Sequence, residues 1–132
     1  MRAIPLVGRI LYSLIFISSG INHFSSGMAD YAASQGVPLA SLAVPASGVL
    51  ALLGGLSILL GFRAKLGALA IVLFLVPVTF MMHAFWGVTD PQMHMMQQIM
   101  FFKNLSMLGG ALLIFNFGSG AYSLDSKFGA GK

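Results

Sequence analysis

The run Gln97-Gln98-Ile99-Met100-Phe101-Phe102-Lys103-Asn104-Leu105-Ser106-Met107-Leu108-Gly109-Gly110-Ala111-Leu112-Leu113-Ile114-Phe115-Asn116-Phe117 decides how this chain is read. At roughly 1.5 Å per residue it forms a helix about 31 Å long, matching a bilayer's hydrocarbon core of about 30 Å. Its one ionisable side chain is Lys103. A lysine inside a spanning helix is costly, and where it occurs it usually faces a bundle interior, a cavity or a partner.

Working outward, three more segments of the same length are just as apolar: Ile4–Phe24, Leu42–Phe62 and Leu66–Trp86. The chain is 58% hydrophobic and 8% charged, against about a quarter charged in soluble domains. The expected fold is all-α, an integral membrane four-helix bundle. It forms a single transmembrane domain over residues 1–132, with spans at about 4–24, 42–62, 66–86 and 97–117. The connections leave no room for a soluble domain.

Charge placement gives an orientation. Arg2, Arg9, Arg63, Lys65, Lys127 and Lys132 fall at the N-terminus, the second connection and the C-terminus, which four spans put on one side. The other side carries Asp30 and Asp90. The positive-inside rule makes both termini cytoplasmic, and it explains the net charge of +4 better than a nucleic-acid surface does. No nucleic-acid partner is expected. The chain has no cysteine, which removes disulfides, thiol catalysis and thiolate metal sites. Residues 2–19 read as a retained helix rather than a cleaved signal, because Arg9 lies too far into the run and no small-residue cleavage pattern follows.

Along the chain, Pro5 suits a first turn, and Arg9 can extend its head back to the cytoplasmic interface. Ser18 and Asn22 share a helix face, as do Ser19 and His23. The first connection, with Asp30, Tyr31 and Pro38, suits a short interfacial helix over the bundle's outer end. The second span has Ser47, Ala51 and Gly55 at four-residue spacing, a ladder that admits another backbone, and reads as a packing helix without chemistry. In the third span Pro77 predicts a kink, and beyond it Thr79, His83 and Trp86 form one stripe. The third connection, Gly87 to Met96, contains Met93-His94-Met95-Met96, and the fourth span starts near Gln97.

Asn22, His23, His83, Trp86, Lys103 and Asn104 therefore gather at the outer end as candidate ligand-binding residues, with Gln97 beside them. No Asp or Glu lies in any span, so donors outnumber anionic acceptors. A buried ammonium so placed must lose its proton, reach water, bond neutral oxygens or hold an acceptor-rich ligand. Quinone carbonyls and small oxyanions are such acceptors, and Phe24, Phe85, Trp86, Phe101 and Phe102 offer flat walls. Plainer roles compete. Lys103 can be a snorkelling anchor, Trp86 an aromatic-belt residue, and the asparagines interhelical glue worth about 0.6 kcal/mol each. The three histidines among several methionines also suit Cu(I), although methionine is equally a flexible filler.

Several stretches together resemble the DoxX family of small bacterial membrane proteins. They are Ser19-Gly20-Ile21-Asn22-His23-Phe24, Gly54-Gly55-Leu56, Leu60-Gly61-Phe62-Arg63, His83-Ala84-Phe85-Trp86, Phe102-Lys103-Asn104-Leu105, Leu108-Gly109-Gly110 and Tyr122-Ser123-Leu124-Asp125. The resemblance implies a multi-pass protein of the bacterial inner membrane, serving a sulfur, thiol or oxidative-stress redox system. The expectation is a quinone- or small-oxyanion-binding membrane subunit, such as that of a quinone-linked oxidoreductase, with a quinone as cofactor and a redox partner protein. His83 and Lys103 would donate to the ligand and His23 would relay a proton. The alternatives are a non-enzymatic scaffold or assembly factor, or a copper-handling or small-solute transport protein. Homo-oligomers through the glycine and alanine ladders are a further expectation.

Overall fold

A computed structural model describes residues 3–128, apart from the side chain of Ser26. Arg2 and Lys132, two cations used for the orientation, lie outside the described residues. The elements are α1 (Ile4–Asn22), α2 (Ser26–Ser34), α3 (Ala40–Leu60), α4 (Ala64–Met82), α5 (Pro91–Phe117) and α6 (Leu124–Phe128). Four of them, α1, α3, α4 and α5, are long and apolar enough to cross a membrane. Their outward faces carry large apolar side chains such as Leu11, Leu42, Leu73 and Leu113, as lipid contact requires.

Close approach at small residues sets the packing. A Cβ on Gly20 would lie 2.8 Å from the carbonyl oxygen of Gly48, and one on Gly54 would lie 2.9 Å from that of Gly67. Glycine here brings α1 against α3 and α3 against α4. Gly55, the ladder residue expected to welcome another backbone, faces Phe16 and Ile17 of the same chain. The small residues of α3 are thus filled from within the chain. The core they surround contains Phe16, Ala51, Ile58, Ala68, Ile71, Phe74, Leu75 and Ala111.

The packed order is α1–α3–α4–α5, with α2 against α3. The first and last spans approach each other only sparsely. Tyr12 bridges that seam: its hydroxyl donates to the carbonyl of Met107, and its ring covers Gly110. Above Tyr12, toward the outer end, residues of all four spans line one common space. The first connection does form a short helix. α2 lies over the outer end, where Ala32 packs with Ala40 and Val44, and Met28 and Met82 join them.

Two boundaries differ from expectation in ways that matter. α5 starts at Pro91, six residues before Gln97, so Met93-His94-Met95-Met96 is helical. Hydropathy marks where lipid begins, but Asp90-Pro91 marks where the helix begins, because proline at the first helical position loses no bond. α4 ends at Met82 with His83 as its C-cap, so the stripe expected to run on to Trp86 stops at His83. Phe85 and Trp86 instead turn onto Phe101, with ring centroids 5.4 and 5.7 Å away. The ends at Ile4 and Phe117 fall where expected, and the others shift by about a helical half-turn, ordinary for such boundaries.

The end holding both termini is tied by polar bonds. Gly61, at φ 67°, closes α3 in the left-handed conformation, which glycine adopts without strain. Arg9 is not extended toward a surface: it is 4% exposed. One of its terminal nitrogens donates to Leu59 O at 3.1 Å, the other to Tyr122 O at 2.7 Å. Asp125, 5% exposed, accepts from the backbone N–H groups of Arg63 (2.6 Å) and Ala64 (3.0 Å) and from Ser119 Oγ (3.1 Å). A carboxylate at a helix start meets unpaired N–H groups and the positive end of the dipole. The tail is thereby fastened across the α3–α4 turn.

Candidate functional site

Above Tyr12 lies a cavity of about 710 Å³ in the outer half of the bundle, within the range of small-molecule sites. Its inner part is apolar, lined by Phe16, Leu50, Phe74 and Met107. Its outer part collects Ser19, Asn22, His23, Ser47, His83, Lys103 and Asn104, beneath Met28 and Tyr31 of α2. Five of the six candidate residues, Asn22, His23, His83, Lys103 and Asn104, thus line one space. Trp86 does not line it; it is 62% exposed within the Phe85–Phe101 ring cluster.

The chemistry of this lining differs from the expected arrangement of donors. Nδ1 of His23 lies 2.6 Å from the carbonyl oxygen of Ser19. That oxygen only accepts, so Nδ1 carries the proton. Nδ1 of His83 lies 2.8 Å from Gln97 Oε1, and with that amide turned oxygen-first toward the ring it donates as well. In a neutral imidazole the other nitrogen, Nε2, is then an acceptor. His83 was expected to donate to a ligand, but its Nδ1 proton is already committed to Gln97.

Lys103 is likewise not a buried ammonium. It stands exposed at the cavity rim, with Nζ 3.3 Å from Met100 Sδ. The stem leans one turn toward the outer end, as a snorkelling lysine does.

Asn104 is the buried polar group of this wall. It is 4% exposed, and its side-chain amide has no hydrogen-bond partner among the described residues. Yet neither amide atom is sealed off. The open space beside it is the cavity that it lines. Buried amides are satisfied by a partner, and the space within reach of this one is the cavity, so its hydrogen bonds are available to whatever occupies it. From the helical rise, Asn104 lies about 20 Å from the terminal end of α5 and His23 about 28 Å from that of α1. The polar lining therefore spreads over roughly 8 Å of depth.

Sequence reasoning missed three contributors. Ser47 was taken as packing, but α3 forms a wall of the cavity. Tyr12 forms the closure beneath it, and no local pattern marks that role. The Arg9–Asp125 end was missed as a unit. Its signal was an acid in an otherwise basic tail and an arginine inside a span. The copper alternative is not favoured by the imidazoles' placement. His94 lies outside the cavity lining, its Nδ1 donates to Val88 O at 3.1 Å, and among the described residues no three of His, Cys, Asp and Glu converge.

Comparison with known proteins adds a family. Residues 40–129 match the SURF4 family model. The chain is 34% identical to the inner membrane protein YqjF of Escherichia coli, over 91% of this chain and 88% of that protein. It is 32% identical to the inner membrane protein YphA of the same organism, over 92% and 88%. The Surfeit locus protein 4 homolog of Schizosaccharomyces pombe is 32% identical over 60% of this chain and 26% of its own length. No solved structure matches. These findings overturn the DoxX resemblance and the redox-subunit expectation it implied; the quinone and oxyanion reading, argued from a surplus of donors, falls with them, since His83 Nδ1 is engaged by Gln97 and Lys103 is exposed. Short glycine, aromatic and Lys-Asn fragments are what close helix packing and interfacial anchoring demand, so they do not by themselves separate one small membrane family from another.

Proposed function

We propose that this chain, which belongs to the SURF4 family, is a membrane binding protein for an amphipathic molecule. The molecule's apolar part would fill the inner cavity, and its polar part would meet the outer lining. The observation that carries this reading is Asn104: an unpaired amide, 4% exposed, beside a cavity of about 710 Å³. The order of the lining supports it, apolar toward mid-membrane and polar toward the outer surface, which is how a leaflet lipid is arranged. The sparse contact between α1 and α5 provides a lateral mouth, so a ligand can enter from lipid without crossing water.

The relatives' names, inner membrane proteins in a bacterium, support a bacterial cytoplasmic membrane as the setting. Arg63, Lys65 and Lys127 at the terminal end support cytoplasmic termini.

The test is native mass spectrometry of the purified protein, titrated separately with dodecanol, 1,2-dioctanoylglycerol and dioctanoylphosphatidate. At least one should be retained at one equivalent. Ser47→Phe, which places a ring in the cavity, should abolish that retention while leaving the thermal unfolding midpoint within a few degrees. If all three are bound equally by wild type and variant, or none is retained, the cavity is not a binding site.

A further inference from the structure

Resting on that reading, we infer that the cavity selects a neutral glycerolipid with a free hydroxyl, and not an anionic lipid, because its two imidazoles present lone pairs rather than protons. His23 and His83 each have Nδ1–H engaged, by Ser19 O at 2.6 Å and Gln97 Oε1 at 2.8 Å. Their Nε2 atoms have no partner among the described residues, and neither is sealed off. Both residues line the same space. A bare Nε2 attracts a hydroxyl proton and repels the oxygens of a phosphate or carboxylate.

The remaining lining fits the rest of such a molecule. Asn104 offers amide protons about 8 Å deeper than His23, by the helical rise, where ester carbonyls hanging from a glycerol would sit. A diacylglycerol carries one hydroxyl donor at one end of its backbone and acceptor esters below it, above two apolar chains. That sequence of donor, acceptors and hydrocarbon runs in the same direction as Nε2 acceptors, amide donor and the apolar inner wall. Lys103, the one cation of the rim, is not placed to reverse this preference. Its ammonium is turned toward Met100 Sδ at 3.3 Å, one helical turn nearer the outer end than Asn104, whereas both imidazoles line the cavity itself.

The experiment compares three short-chain ligands that differ only at the third glycerol carbon. They are 1,2-dioctanoylglycerol, its acetate ester and dioctanoylphosphatidate, each titrated against the full chain in nanodiscs of phosphatidylcholine and read by native mass spectrometry. The free hydroxyl should bind about tenfold more tightly than the acetate, the value of one good hydrogen bond, and more tightly still than the phosphate. Asn104→Leu should weaken all three, and because the preference for hydroxyl over acetate is read from the ligand side, it survives any loss of folded yield. Equal binding of hydroxyl and acetate, or tighter binding of the phosphatidate, overturns the headgroup assignment and leaves the amphiphile site standing. Retention of none of the three overturns both.

Discussion

The two ends of this bundle handle buried polar groups in opposite ways. At the terminal end Arg9 and Asp125 are nearly sealed from solvent, and their bonds go to fixed backbone positions: Leu59 O, Tyr122 O, Arg63 N and Ala64 N. At the outer end Asn104 is as deeply buried, yet it has no partner among the described residues, and two imidazoles each leave a nitrogen open. Both arrangements carry a desolvation cost. The first recovers most of it within the chain, with Arg9 Nε alone left unpaired. The terminal end therefore serves to hold the helices together, and the outer end is organised to be completed by something else.

Removing the carboxylate of the terminal end is the most severe way to test that contrast. Asp125→Ala leaves two helix-start N–H groups without their acceptor, while Ser119 keeps Ser123 Oγ at 3.1 Å. Loss of such charge-assisted bonds should cost on the order of 3 kcal/mol, read as a drop in unfolding free energy in mixed detergent micelles. The folded fraction should still retain dioctanoylglycerol, since no residue of the cavity has changed. A loss under about 1 kcal/mol would mean that the network contributes no more than an exposed ion pair.

A smaller effect is expected where the ends are joined. Gly48 sits between α1 and α3, and a Cβ there would lie 2.6 Å from His23 Cβ and 2.9 Å from Gly20 O. Gly48→Ala must therefore push α1 away, at about 1–3 kcal/mol for overpacking. Because His23 moves with α1, dioctanoylglycerol retention should fall together with stability. If stability falls alone, His23 is structural and its open nitrogen has no part in binding.

Some of this arrangement was legible in the sequence. Four runs of spanning length gave the all-α membrane bundle, because apolar length depends on composition alone. The gathering of His23, His83, Lys103 and Asn104 followed from the antiparallel order of the spans. What failed needed information that no local pattern holds. Which imidazole nitrogen is free depends on a carbonyl one turn earlier for His23 and on a glutamine from another helix for His83. The depth of Lys103 was misjudged because α5 starts at Pro91, and a helix can begin before the bilayer does. Arg9 looked like an interfacial anchor until the tail, far away in sequence, was seen to supply Ala121 and Tyr122 carbonyls.

The smallest expected change in stability is the most discriminating. Asn104→Leu exchanges an unpaired amide for a side chain of similar size in a wall that is otherwise apolar. No hydrogen bond within the chain is lost, and the burial cost of the amide is relieved. The unfolding free energy should stay within about 0.5 kcal/mol of wild type or rise, while dioctanoylglycerol binding falls about tenfold. The terminal end cannot behave in this way, because its carboxylate and both terminal guanidinium nitrogens of Arg9 already hold other parts of the chain, Arg9 Nε alone being left unpaired. A loss of more than about 1 kcal/mol at Asn104 would show that its amide is engaged in the unliganded protein, and the difference between the two ends would then be one of degree.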